Sequence, residues 1–94
     1  MYLYNISIIV ENEHHESLMD WVKNSWFKTL PTSSKLLKIL DSPHEGHTYS
    51  VQLVFEHAAD IPVFQKDKVS ILQAQIAEHH YEKAFIFDST MKYI

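Results

Sequence analysis

The chain has 94 residues, of which 46% are hydrophobic and 21% charged, with a formal charge of −4; that is the size and composition of one globular domain, residues 1–94. All eight basic residues are lysines, scattered from Lys23 to Lys92, so the clustered positive face and guanidinium forks that read nucleic acid are missing, and no nucleic-acid partner is expected. The absence of cysteine excludes disulfides, thiolate metal sites and thiol nucleophiles. The longest aliphatic run, Ile8-Ile9-Val10, is far too short for a signal core or a membrane span, so the expectation is a cytoplasmic protein with no membrane partner.

The first element alternates, with Tyr2, Tyr4, Ile6, Ile8 and Val10 on one parity and Leu3, Asn5, Ser7, Ile9 and Glu11 on the other, the period of a strand. A helix follows over Asn12 to Leu30. Asn12 is placed to cap it, Glu13 and Glu16 complement its dipole, and Leu18, Trp21, Val22, Ser25, Trp26 and Thr29 share one side. Trp26 and Phe27 are adjacent near its end, which predicts that one of them stays outside the core. Pro31 stops the helix. A short strand is expected over Lys35 to Asp41, apolar on both parities.

Ser42-Pro43-His44-Glu45-Gly46 carries the only glycine, where a hairpin needs a residue tolerant of positive φ. His47 to Glu56 then alternates cleanly, Tyr49, Val51, Leu53 and Phe55 against Thr48, Ser50, Gln52 and Val54. Asp60 caps a second helix running to His80, with Pro62 in its first turn and Ile61, Phe64, Lys68, Ile71, Leu72, Gln75, Ile76 and His79 on its inner face. The last strand, Lys83 to Ile94, sets Phe85, Phe87, Ser89, Met91 and Tyr93 against Ile86, Asp88, Thr90 and Ile94.

The order βαββαβ implies two right-handed crossovers that lay both helices on one face of a four-stranded antiparallel sheet, the ferredoxin-like α+β fold. The helices should cover the more apolar parity: Tyr4, Ile6, Ile8, Val51, Leu53, Phe55, Phe85 and Phe87. The opposite face would carry Asn5, Ser7, Ser50, Gln52, Asp88 and Thr90 among Ile9, Val54 and Ile86. It is too polar for a core and too apolar for free solvent, which predicts a homodimer packed sheet to sheet in the manner of a dimeric α+β barrel, with room for a small-molecule ligand.

Tyr4-Asn5, Trp21-Val22-Lys23, the run Thr48-Tyr49-Ser50-Val51-Gln52 and the aromatic-rich segment from Phe85 to Met91 together resemble, over the whole chain, a family of small bacterial proteins known as domain of unknown function 4286. The third-strand run is the most specific of these. Where that family often has His-Ile-Pro after the helix tryptophan, this chain has Trp26-Phe27-Lys28, so no role attached to that histidine transfers. The resemblance implies the fold and brings no activity with it. The layout is also similar to dimeric α+β barrels, which include cofactor-free monooxygenases and haem-binding enzymes, a likeness of fold that does not fix function.

Seven histidines are many for this length. His44 and His47 flank a turn without an acidic or thiol partner at ligand spacing, and no HExxH pattern exists; no metal site and no cofactor are expected. His79 and His80 at the end of the second helix suit its dipole as solvated cations. Asp88 is the one ionisable member of the polar face and the weak candidate for a general base in a small-molecule enzyme. It lacks a convergent second group, so a homodimeric binding or structural module is the preferred expectation.

Overall fold

The computed structural model describes residues 1–94. Strand β1 (Tyr2–Val10) lies at the centre of a four-stranded antiparallel sheet of order β2-β3-β1-β4, between β3 (His47–Phe55) and β4 (Ala84–Lys92), with the short β2 (Lys35–Ile39) outside β3. Pairing is continuous: Ile6 lies opposite Val51 on one side and Asp88 on the other. The fold is the expected ferredoxin-like α+β arrangement.

The first helical layer starts with α1 (Asn12–Trp21), widens into a π turn over Val22–Trp26 and tightens to a 3-10 turn over Phe27–Thr29. Leu30 is extended, with φ −85° and ψ 163°, as the following proline requires. The second layer repeats this design: α2 (Asp60–Phe64), a π turn over Gln65–Val69, and α3 (Ser70–His79). The two π turns meet where the Trp26 indole N–H donates to the Lys68 carbonyl at 2.8 Å. Neither Asn12 nor Asp60 acts as a side-chain cap; they are first residues of their helices, preceded by Glu11 and Ala59 without a capping side-chain bond.

The core is one cluster between sheet and helices. Tyr4, Ile6, Ile8 and Val10 of β1, and Tyr49, Val51 and Leu53 of β3, meet Leu18, Val22, Trp26, Ile61, Phe64, Val69 and Leu72. Burying alternate residues of a central strand against two helices is the main favourable term in such a domain, about 1.5–3 kcal/mol for each fully buried large aliphatic. Trp26 and Phe27 both contribute, the former buried and the latter half-buried against the cluster. The expectation that one of them would stand outside the core does not hold.

Strand β4 overturns a second expectation. Its register pairs Ala84 with Val10, Ile86 with Ile8 and Asp88 with Ile6, so Ala84, Ile86, Asp88 and Thr90 face the helices. Phe85, Phe87, Ser89 and Met91 lie on the open face with Leu3, Asn5, Ser7 and Ile9. The parity of larger hydrophobic mass is the outward one.

The β2–β3 connection folds over one end of the open face. Gly46 takes φ +85°, and a Cβ there would lie 2.3 Å from the Val10 carbonyl oxygen, so both the turn and the close approach demand glycine. Ser42 Oγ pairs with Thr48 Oγ1 at 2.8 Å and accepts from the His44 N–H at 3.2 Å. These bonds hold the loop in place and bury Thr48 beneath it.

Candidate functional site: the open face of the sheet

Four of the six polar residues expected on the open face are there, and they form one connected row. Gln52 Nε2 donates to Ser50 Oγ at 3.4 Å, Ser50 Oγ donates to Asn5 Oδ1, and Asn5 Nδ2 donates to Ser7 Oγ at 3.2 Å. Alternation on β1 and β3 places these side chains side by side, because Asn5 lies opposite Gln52 and Ser7 opposite Ser50. These bonds satisfy the Ser50 hydroxyl and Asn5 Oδ1, while Gln52 Oε1 and the Ser7 hydroxyl proton have no partner within the row.

On both sides of the strip the face is apolar and open. Leu37 and Ile39 of β2 stand on one flank, and Phe85, Phe87 and Met91 of β4 on the other; Phe87 is 62% exposed. Scattered exposed hydrophobics are ordinary, whereas here they stand in two rows on either side of a polar strip.

Asp88 and Thr90, the other two expected members, lie on the helix side. The Asp88 carboxylate accepts from the Tyr4 hydroxyl at 2.5 Å and from Gln65 Nε2 at 3.2 Å, and so ties the second π turn to the sheet. Burial and the bond to Asp88 push the Tyr4 phenol well above its ordinary range, which fixes it as a proton-bearing donor. Asp88 and Thr90 line neither the two depressions at the loop end of the open face nor the one beside Ile76 and Ala84.

The histidines are not simply solvated. His14 and His80 approach Nδ1 to Nδ1 at 2.9 Å, and His80 is 2% exposed. Burial first, then His14 and His79, hold the His80 imidazole below its ordinary value, so it sits neutral at a helix end where a cation was expected. His15 stacks on His47 with ring centroids 3.6 Å apart and meets the Tyr49 hydroxyl at 2.5 Å. Burial and the neighbouring His47, Lys38 and Lys23 lower its pKa against a smaller opposing effect of Glu16. These pairs bring together the start of α1, the start of β3 and the end of α3. No group of three or more potential ligand side chains converges anywhere in the fold, and His44 sits in the loop over the open face, away from these pairings. No helix is long and apolar enough to cross a membrane.

The family model for the domain of unknown function DUF4286 matches residues 1–94. The chain belongs to this family. Among curated proteins none matches in sequence. Among solved structures, the designed protein Foldit4 is similar at a TM-score of 0.62 and 13% identity, covering 99% of this chain and 98% of that one. An ethyl tert-butyl ether D (EthD) family protein from Bacillus halodurans C-125 is similar at a TM-score of 0.61 and 11% identity over the full length of both chains. At such identities the likeness is one of fold. That a designed protein shares it underlines how little the layout says about activity.

Proposed function

We propose that this DUF4286 chain is a homodimeric binding or structural module whose two copies pair through the open faces of their sheets. The observation that carries it is the pattern on that face: a hydrogen-bonded row, Asn5, Ser7, Ser50 and Gln52, flanked by exposed Leu37 and Ile39 on one side and Phe85, Phe87 and Met91 on the other. Hydrophobic flanks supply the driving force, and the groups of Gln52 and Ser7 that the row leaves unbonded are free to bond across the interface.

The dimensions fit. Three nine-residue strands and the five-residue β2, about 4.8 Å apart, give a face of roughly 500 Å², which with side-chain relief approaches the roughly 800 Å² per partner of a stable interface. A 94-residue domain also gains from covering apolar area that its own helices leave bare. The likeness of fold to the EthD-family protein, at 11% identity, brings no activity.

The enzyme reading built on Asp88 has less support, because Asp88 is engaged by Tyr4 and Gln65 on the other side of the sheet. Sedimentation equilibrium on the purified chain tests the pairing. The expected result is twice the 11.1 kDa chain mass at micromolar concentration; a single chain mass there would overturn it.

A further inference from the structure

At the loop end of the open face two depressions adjoin, of about 540 and 360 Å³, and they share Ile9, His44 and Phe87. Each is of the size that small ligands occupy. The floor is β-sheet, with Ile9 of β1 beside Phe87 of β4, and the overhanging wall is the loop carrying His44. That wall is preset by the Ser42–Thr48 bond and by Gly46 packed against the Val10 carbonyl, so a ligand has little to order on arrival.

The rim chooses the ligand's charge. Glu11, Glu45 and Asp41 stand around the two depressions against one cation, Lys83. Lys83 Nζ lies 3.9 Å from Glu11 Oε1, and neither Glu45 nor Asp41 has an ionic partner. The aromatic faces of Phe85 and Phe87, 51% and 62% exposed, border the same space and are attractive to cations.

We propose that this composite depression binds a small organic amine, with its apolar or aromatic body on Ile9 and Phe87 beneath His44 and its ammonium group at Glu45. The site goes beyond the pairing reading. It uses the loop end of the same face, where His44 and Glu45 overhang the sheet.

The test is a ¹H–¹⁵N NMR titration of the full chain with 2-phenylethylammonium chloride, run beside phenylacetate, which has the same ring and the opposite charge. The amine should give saturable shifts at the Ile9, His44, Glu45 and Phe87 amides in the millimolar range usual for a ligand this small, about 1 mM. Phenylacetate should bind roughly ten-fold more weakly, and Glu45→Gln, a surface loop change, should weaken the amine roughly three- to ten-fold, the scale of one partly desolvated charge contact. Equal or tighter binding of phenylacetate, an unchanged affinity in Glu45→Gln, or no shifts up to about 10 mM would overturn the site. Sedimentation of the same samples separates the two proposals: a monomer that binds the amine overturns only the pairing, and a dimer that ignores it overturns only the amine site.

Discussion

The Tyr4 hydroxyl donates to Asp88 Oδ2 at 2.5 Å across a sequence separation of 84 residues, from the middle strand to the edge strand. It is a charge-assisted bond at the border of the core, and Gln65 Nε2 joins it from the second helical layer. Tyr4→Phe keeps the buried ring and removes the donor. The loss should be about 1–2 kcal/mol, since Asp88 keeps Gln65 and water. Urea unfolding checks this; a change below roughly 0.3 kcal/mol would mean that the bond contributes nothing net.

Acid should weaken the fold through the histidine pairs. His80 and His15 both titrate below the ordinary 6.5 in the folded chain, so between those lowered values and 6.5 the unfolded chain binds more protons than the folded one. Stability is then fully present above about pH 6.5 and is lost as pH falls through the window below it. The urea midpoint should be flat from about pH 7 to 8 and fall towards pH 5, and His80→Phe should shallow that fall. A midpoint that rises on acidification would contradict the sign.

Gly46→Ala should cost about 1–3 kcal/mol, combining a positive φ with a Cβ driven into the Val10 carbonyl. Because the loop wall moves with it, the variant should also broaden the amide signals of residues 40–48. A thermal midpoint equal to that of the parent would show that the close approach relaxes freely.

Phe87→Lys adds a charge to the most exposed aromatic on the open face and touches nothing in the helix-side core. On the proposed pairing, it should leave a monomer at micromolar concentration where the parent is a dimer, with the far-ultraviolet circular dichroism of the chain unchanged. A dimer that survives this substitution, with the parent also dimeric, would place the contact on another surface.

The fold was readable because β1 and β3 are strict alternators: Tyr4, Ile6 and Ile8 leave no choice of face, and the order of elements leaves one sensible topology. Strand β4 was misread because both of its parities are apolar. Phe85 and Phe87 outweigh Ala84 and Ile86 in bulk, so hydrophobicity alone points the wrong way, and the register that decides is set by pairing with β1. In the second helix the expected inner face holds at Ile61, Phe64, Leu72 and Ile76 and slips at Lys68. A uniform 3.6 period puts Lys68 inside, but the π turn makes the step from Phe64 five residues long, and Val69 is buried instead. The row Asn5, Ser7, Ser50 and Gln52 was visible from alternation on the two well-read strands. The His14–His80 and His15–His47 pairs were not, because they are made by elements far apart in sequence that topology returns to one place.

The position of β4 carries a consequence for handling the protein. Its outer edge is nine residues long, has no proline, and bears Phe85, Phe87 and Met91 on its open side, with Lys92 its only basic residue. A long, flat, aromatic edge is a template for further strands. A single chain therefore offers both a sticky face and an unpaired backbone ladder, so on the proposed pairing aggregation into fibres should rise under conditions that keep the copies apart.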